Sequence, residues 1–462
     1  MTSKTLADTI NNTDVANGKR FAEQHGKRAA YSPARGWLFY DGRRWAYDMK
    51  DIRVTGLAIE TAKSVYAEIP DAPDRKEFFN FAKFSQSKTG VTNMLSLAKP
   101  LPNIRTDIND FDTNKMALNC KNGTLDLLTG ELKEHDPLDK ITRLIPVDYK
   151  PDAECPVWLS FLDKIMEGKQ NTIDYLQRAM GYSLTGDTSE QVLFFLHGSG
   201  SNGKSVLVET LQALLGDLGA SSRTDVIMKR SRGGIPNDLA RLHGLRFVAM
   251  NETSEGQKMD EQVVKDITGG DTITTRFLHQ EFFDFIPAFK LWIRGNHKPV
   301  IHGTDDGIWR RIHMIPFAYQ VTAQEKDPHI GDKLLKELEG ILAWCVEGCM
   351  KWQKEGLNPP DNVLNAIATY RDDSDTLGQF IETCCDIADG LSAPCAKLLK
   401  AYNEWVDEEG VDKSYNKLTF APALEAKGYP KSERGGTGYH YMGLTLKPDE
   451  SVIKREQARY GN

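Results

Sequence analysis

The sequence predicts an α/β fold in which a mostly parallel sheet is covered by helices. Apolar strand segments alternate with amphipathic helical segments between residues 151 and 358. The strand segments are near-continuous apolar runs, which are typical of strands buried on both faces. A glycine-rich loop between the first of these strands and the next helix also favours this class.

The elements of this central region follow one another in a regular order. Pro156 stands where a helix begins, in the first turn that tolerates proline. Apolar runs that alternate with helical periods predict the following series of further elements: a helix over 172–182, a strand over 191–196, a helix over 204–215, a strand over 245–250, a helix over 260–268, a strand over 289–293 and a long closing helix over 332–354.

Two further parts flank the central region. Residues 1–150 predict a small α+β module, with a hairpin turning at Asp41-Gly42 and a short β-meander around Asn122-Gly123. The sequence Asn358-Pro-Pro-Asp marks a boundary. After it, residues 361–450 predict three helices and a hairpin, and residues 451–462 form a polar tail.

Composition limits the classes of function. The formal net charge of −7 over 462 residues does not by itself indicate a nucleic-acid binder, so any such role needs a local concentration of positive charge. The seven cysteines include no Cys-x-x-Cys pair, which argues against a zinc site or a disulfide framework. We expect a cytoplasmic protein without membrane association, because the chain has neither a long apolar run nor an apolar signal segment at Met1.

The strongest motif is a phosphate-binding loop, Gly198-Ser199-Gly200-Ser201-Asn202-Gly203-Lys204-Ser205, which matches Gly-x-x-x-x-Gly-Lys-Ser/Thr without deviation. Small residues let backbone N–H groups surround a phosphate at the beginning of a helix. In this pattern Lys204 contacts the β- and γ-phosphates and Ser205 gives its hydroxyl to Mg²⁺. The motif predicts a nucleoside triphosphate, ATP, with Mg²⁺ as cofactor.

Polar side chains follow the next two predicted strands. Asn251 and Glu252 end one of them, and Glu252 is the candidate that orients Mg²⁺ and the attacking water. Asn251 occupies the place where a second acid is usual. Asn296 ends the following strand and can hydrogen-bond both the γ-phosphate and the water. The alternatives are an ordinary strand end at Glu252 and a turn-forming asparagine at Asn296.

Arg310 and Arg311 are candidates for an arginine that acts across a subunit boundary. A guanidinium in that place stabilises the charge that develops on a neighbour's γ-phosphate. The alternative is a surface salt-bridge cluster with Asp305 and Asp306. The sequence does not choose between the two arginines.

These segments together resemble superfamily 3 helicases, and in particular the phage/plasmid primase-helicase family that includes the poxvirus primase-helicase. The resemblance spans about residues 20 to 450. It is carried, in order, by residues 117–127, 149–158, 176–186, 265–276, 296–299 and 309–317.

The resemblance implies an AAA+-type core that assembles as a homo-oligomer, a hexamer, around one DNA strand. It implies ATP hydrolysis between subunits and 3′-to-5′ unwinding during replication of a phage, plasmid or integrated island. Lys204, Ser205, Glu252 and Asn296 inherit the nucleotide roles, and Arg310 or Arg311 the role across the interface. No primase site is apparent, so a separate primase or polymerase is expected.

The resemblance also indicates where DNA binds. Residues 272–280 match a hairpin that points into the channel of such rings, and residues 361–450 resemble a winged-helix domain for duplex DNA at an origin. The candidate contacts are Lys265, Arg276, Phe277 and His279 near the hairpin, and Lys417, Lys427, Lys431 and Arg434 in the C-terminal domain. The alternatives are a solvated hairpin and a protein-docking module with a basic face.

Two rival functions remain open from the sequence. An ATP-dependent factor could bind and melt an origin and load a host helicase without translocating. A P-loop enzyme that acts on small molecules is less favoured, because the chain shows no further pocket chemistry and the C-terminal domain would have no use there.

Overall fold

The computed structural model describes residues 12–229, 237–251, 256–276, 282–301, 306–409, 415–432 and 438–448. In the N-terminal part the elements are α1 (Asp14–His25), β1 (Ala29–Ser32), β2 (Gly36–Tyr40), β3 (Trp45–Tyr47), α2 (Ile52–Ser64), α3 (Arg75–Ser85), α4 (Lys88–Ala98), β4 (Ala117–Cys120), β5 (Gly123–Asp126) and β6 (Leu132–Lys133).

The central part alternates strands and helices. Its elements are α5 (Pro156–Ile165), α6 (Gln170–Leu184), β7 (Leu193–His197), α7 (Lys204–Leu215), β8 (Gly219–Arg223), α8 (Asn237–Ala240), β9 (Phe247–Asn251), α9 (Glu261–Gly269), β10 (Ile273–Thr275), β11 (Phe283–Phe285), β12 (Lys290–Gly295), α10 (Asp306–Trp309), β13 (Ile312–Pro316), α11 (Ile330–Leu335) and α12 (Leu338–Glu355).

The C-terminal part consists of α13 (Asp361–Ser374), α14 (Thr376–Cys384), β14 (Cys385–Pro394), α15 (Cys395–Glu408), α16 (Lys417–Ala426) and β15 (His440–Leu446). Strands β14 and β15 pair antiparallel. The sequence predicted three helices and a hairpin here, whereas the described residues form four helices. It did not predict β14, whose residues are mostly exposed and lack an apolar run. Among the residues in the described ranges, no helix has the length and apolarity needed to cross a bilayer.

The central sheet has five parallel strands in the order β13-β7-β12-β9-β8. This confirms the predicted α/β class with a parallel sheet. Strand β12 lies between β7 and β9, with Gly295 opposite His197 and Arg294 opposite Asn251. Because parallel strands end at the same edge of a sheet, the residues that follow β7, β9 and β12 meet there.

Helices α6 and α12 cross with their backbones in contact. A Cβ added at Gly181 would stand 2.1 Å from the amide nitrogen of Cys349, and one added at Gly348 would stand 2.0 Å from the carbonyl oxygen of Gln177. Only glycine fits at either position. Cys345 and Cys349, four residues apart on α12, are buried free thiols in this packing.

The closing helix predicted over 332–354 is broken in two between α11 and α12. The break falls at Glu337, whose backbone leaves the helical conformation. Its carboxylate accepts hydrogen bonds from the amides of Val157 (3.1 Å) and Trp158 (2.9 Å) in the first turn of α5. The first amides of a helix have no partner within the helix, so Glu337 supplies a cap from a distant part of the chain.

The meander β4–β6 packs into the same hydrophobic core as the central sheet, through Leu118, Leu125 and Leu127. A buried arginine reinforces this junction. Arg246, just before β9, donates to the carbonyl oxygens of Leu184 (2.6 Å) and Ala117 (2.7 Å). Burial lowers the pKa of Arg246 to about 10, which leaves it charged at neutral pH.

Candidate functional site

The backbone conformation of the loop between β7 and α7 depends on residues with small or absent side chains. Gly203 takes φ +86° directly before Lys204, and Ser201 also lies in the left-handed region at φ +59°. A Cβ on Gly203 would stand 2.8 Å from the Ile165 side chain, and one on Gly198 would stand 2.3 Å from the carbonyl oxygen of Phe317. The loop therefore requires glycine at both positions, as expected where a phosphate approaches the backbone.

The ammonium group of Lys204 lies at the centre of this loop. Its Nζ donates to the carbonyl oxygen of Gly198 (2.7 Å), to Oδ1 of Asn202 (3.0 Å) and to Oδ1 of Asn296 (3.2 Å). Asn202 is itself fixed, because its Nδ2 donates to the carbonyl oxygen of Phe317 at 3.1 Å. The side chain that the motif assigns to phosphate thus touches the asparagine that ends β12.

A cavity of about 470 Å³ opens over the loop at the carboxyl edge of the sheet. Its lining combines the loop with the ends of β9 and β12: Gly200, Ser201, Asn202, Gly203, Lys204, Ser205, Val206, Asn251, Arg294, Gly295 and Asn296. Backbone amides, one ammonium and one hydroxyl suit the phosphates of a nucleotide with Mg²⁺. Ser205 is the described residue that would hold the metal.

Glu252, the acid expected to share that metal, lies outside the described residues. Asn251 beside it ends β9 and lines the cavity. Within the described ranges, no group of three or more His, Cys, Asp or Glu side chains could hold a metal by itself.

Arg294 is a cavity residue that was not predicted from the sequence. Its Nε donates to Oδ1 of Asn251 at 2.7 Å, and its Nη1 donates to Oε1 of Glu209 at 2.9 Å. Alternation along β12 places residues 294 and 296 on the same face of the strand, and this was the available signal. The guanidinium ties α7, β9 and β12 together beside the phosphate loop.

Replacing Arg294 by alanine is expected to slow ATP hydrolysis about a hundredfold with little loss of nucleotide affinity. The change removes a fixed cation at the cavity and releases Asn251, next to the candidate Glu252. Steady-state hydrolysis and binding of a fluorescent ATP analogue would separate the two effects. Glu209→Gln is the control that weakens the ion pair alone. Wild-type turnover in Arg294→Ala would contradict this positioning role.

The two candidate arginines have different environments. Arg311 is buried, and its Nε donates to the hydroxyl of Thr268 at 3.1 Å while Nη1 contacts the carbonyl of Gly307. Arg310 is exposed and donates to Oε1 of Gln191 at 2.7 Å. Asp306, a partner in the salt-bridge alternative, instead pairs with Arg371 at 2.8 Å.

Arg310 also lies far from the phosphate loop of its own chain. It comes just before β13, at the end of the sheet where β7 begins, because Ile312 pairs with Leu193. The loop follows the other end of β7, after His197. The five residues of β7, Leu193–His197, set these ends roughly 13 Å apart. Arg310 therefore faces away from its own nucleotide cavity and is accessible from outside the chain.

The predicted hairpin before β12 is present as β10 and β11, which pair antiparallel. Arg276 is exposed directly after β10, and its guanidinium lies 4.7 Å from the ring centroid of Phe282. Phe282 is itself 54% exposed. Phe277 and His279 lie outside the described residues. Lys265, on α9, is half-buried.

The candidate DNA-contacting residues of the C-terminal domain differ in exposure and in their ion pairs. Lys417 is exposed at the beginning of α16, and Lys431 is exposed with its Nζ 3.9 Å from the Tyr439 ring centroid. Lys427 instead forms an ion pair with Asp375 and is partly covered. Arg434 lies outside the described residues. The neighbour of Lys417 is Leu418, an apolar side chain that is 85% exposed.

A second cavity, of about 520 Å³, adjoins the phosphate loop on the side of α5. Its lining is largely apolar and includes Val157, Phe161, Ile165, Val321 and Ile330. The loop residues Ser201 and Gly203 form its boundary with the first cavity. This cavity was not predicted from the sequence, because it is assembled from three separate parts of the chain.

Two family models match the chain. Residues 18–167 match the model described as D5 N terminal like, and residues 196–311 match a family of unknown function (DUF5906). The second match covers the phosphate loop, Asn251, Asn296 and Arg310.

Viral proteins named as helicases or primases are similar to this chain. One from Acanthamoeba polyphaga mimivirus, named as a helicase, is 28% identical over 75% of this chain and 40% of its own length. One from Invertebrate iridescent virus 3, also named as a helicase, is 29% identical over 60% of this chain and 33% of its own. One from African swine fever virus (strain Badajoz 1971 Vero-adapted), named as a primase, is 25% identical over 76% and 41%.

The chain thus spans well under half the length of these curated relatives. A solved structure of the NrS-1 C-terminal region in its apo form is 10% identical, with a TM-score of 0.45, and covers 90% of this chain and 96% of that one. The D5-type match and the named viral relatives confirm the resemblance to a primase-helicase family.

Proposed function

We propose that this chain is an ATP-dependent DNA helicase of the superfamily 3 type that acts in the replication of a viral, plasmid or other mobile genome. The observation that carries the proposal is the contact between Lys204 and Asn296 over a cavity of about 470 Å³. It places the ammonium proposed to bind phosphate beside an amide that follows the neighbouring strand, an arrangement suited to positioning a γ-phosphate and the attacking water.

In this proposal ATP binds with its phosphates on the loop and its base in the apolar cavity beside α5. Lys204 would bind the β- and γ-phosphates, and Ser205, with Glu252 by its motif position, would hold Mg²⁺, which would neutralise charge on the phosphates. Asn296 orients the attacking water. A planar base packed on Phe161 and Ile165 would gain apolar burial.

The proposed subunit arrangement is a ring, with the AAA+-type core of each chain completing its neighbour's site. Arg310 is the proposed residue in trans, since it is exposed and lies at the sheet edge away from its own loop. Arg311 is proposed to be structural, because it is buried and bonded to Thr268. The strand order supports the AAA+ proposal, because it sets β12 between β7 and β9.

The C-terminal domain is proposed to be winged-helix-like and to contact duplex DNA. Two helices, a strand, two helices and a returning strand follow in order, and β15 pairs with β14. Lys417 and Lys431 supply exposed cations at α16 and at the connection to β15. Lys427 is left out of this surface because Asp375 neutralises it.

Strand displacement on a forked duplex with a 3′ single-stranded tail tests the function. The wild-type chain with ATP and Mg²⁺ is expected to displace the strand, and a 5′-tailed fork is expected to fail. Arg276→Ala should reduce displacement at least about tenfold while DNA-free hydrolysis continues, because each subunit loses its stacked cation at the hairpin.

Arg75→Ala, an exposed arginine on α3, is the matched control for this experiment. Unchanged displacement by Arg276→Ala would contradict the hairpin assignment. Hydrolysis that DNA stimulates without any displacement would favour the origin-binding loader in place of a helicase.

A further inference from the structure

A third cavity, of about 290 Å³, lies between the N-terminal part and the central sheet. We name it the junction cavity. Its charged and aromatic lining residues are Arg35, Tyr47, Asp112, Arg143, Arg241 and His243. Arg35 and Tyr47 come from the N-terminal strands, while Arg241 and His243 come from the segment between α8 and β9. Both parts of the chain are needed to form it.

Three guanidinium groups face one carboxylate in this cavity. Asp112 is already bonded, because it accepts from the amide of Thr142 at 2.8 Å and contacts the hydroxyl of the same residue. Arg143 is held in place, since Nη2 donates to the carbonyl oxygen of His243 (2.9 Å) and Nη1 to that of Asp217 (3.2 Å). Neither of those carbonyls carries a net charge. The lining therefore has an excess of positive charge.

His243 does not change the net charge of the cavity lining. Burial lowers the pKa of His243, and the nearby Arg35 and Arg143 lower it further, so the ring is neutral at neutral pH. The cations that line the cavity are the arginines. Arginine is suited to phosphodiesters, because its planar fork of donors binds two oxygens at once.

The junction cavity lies against the base of the β10–β11 hairpin. The Arg35 guanidinium stands 5.6 Å from the Tyr47 ring centroid and 5.8 Å from that of Phe283. The His243 ring lies 5.7 Å from Phe283 and 5.5 Å from Phe285. Strand β11 thus leads from the Arg276–Phe282 pair to the arginines of the cavity.

We propose that the junction cavity binds a backbone phosphate of single-stranded DNA, next to the hairpin contact. The inference rests on the proposed helicase function and adds a second contact point to it. Arg35, Arg143 and Arg241 bind the phosphate, and the half-exposed ring of Tyr47 is available to stack on a base. Because the lining comes from two parts of the chain, bound DNA would hold the N-terminal part on the core.

The test is the salt dependence of binding to fluorescein-labelled oligothymidylate, measured by anisotropy on the full chain between about 50 and 200 mM salt. Arg241→Ala and the double variant with Arg35→Ala are expected to bind more weakly. The slope of log K against log salt should become shallower by about 0.7 for each phosphate that the variant no longer neutralises. DNA-free ATP hydrolysis should stay at the wild-type rate.

Arg75→Ala is the charge-matched control and should keep the wild-type slope. Arg241 is exposed, so Arg241→Ala tests the inference even if the double variant is less stable. Wild-type affinity and slope in Arg241→Ala and in a folded double variant would overturn it. Loss of fluorescent-ATP binding with normal DNA binding would assign the cavity to a nucleotide instead and also overturn it.

The experiment distinguishes a failure of the proposed helicase function from a failure of the junction-cavity inference. If the wild-type chain itself neither binds the oligothymidylate nor displaces a strand, the proposed helicase function fails. If the wild type does both and the junction variants match it, only the junction cavity loses its assignment.

Discussion

Replacing Lys204 by alanine is expected to reduce ATP hydrolysis about a thousandfold, the largest effect of any single change in the site. The ammonium lies among Gly198, Asn202 and Asn296, where it would stabilise the charge of the β- and γ-phosphates. Nothing else among the described cavity residues could replace it, because Arg294 is already engaged with Asn251 and Glu209.

Hydrolysis should be measured together with fluorescent-ATP binding and thermal unfolding, since Lys204 also bonds the loop itself. Lys204→Arg is the conservative control, which keeps the charge but not the compact ammonium that the loop surrounds. Wild-type turnover in a folded Lys204→Ala protein would show that the loop is not the catalytic nucleotide site.

The second large effect is expected at Arg310 and only in the assembled protein. Arg310→Ala should lower hydrolysis about a thousandfold while leaving the melting temperature unchanged, because its side chain is exposed and would act on a neighbour's nucleotide. Arg311→Ala should instead lower the stability by about 1–3 kcal/mol, since it removes a buried guanidinium that donates to the Thr268 hydroxyl and contacts the Gly307 carbonyl.

Mixing two inactive variants tests the action in trans directly. In an equal mixture of Arg310→Ala and Lys204→Ala subunits, about a quarter of the interfaces would pair an intact loop with an intact arginine. Hydrolysis should therefore recover to about that fraction of the wild-type rate. Recovery in mixtures with Arg311→Ala in place of Arg310→Ala, and none with Arg310→Ala, would reverse the assignment of the two arginines.

The phosphate loop could be predicted from the sequence because its requirements are local. Glycines at fixed positions and a lysine at the start of a helix define it, and the predicted helix over 204–215 has the bounds of α7. Arg294 could not be predicted in the same way. Its role depends on the register that sets it opposite Asn251, and that register joins strands about forty residues apart.

Other differences between the predicted and the observed elements also arise from contacts between distant parts of the chain. The helix predicted over 332–354 has no local signal for a break, which arises because Glu337 caps α5. Strand β8, Gly-Ala-Ser-Ser-Arg, is a polar edge strand recognisable only by its pairing with β9. The burial of each side chain distinguishes Arg310 from Arg311. Two adjacent arginines carry no sequence signal that tells which of them is buried.

The separation of Arg310 from the phosphate loop of its own chain has a consequence for ATP consumption in the cell. In the proposed ring, a lone subunit would hold ATP without hydrolysing it, because the arginine proposed to complete its site belongs to another copy. Turnover per molecule would then rise steeply with protein concentration and stay negligible in dilute protein. Newly made subunits could accumulate without draining the nucleotide pool until enough copies are present to assemble.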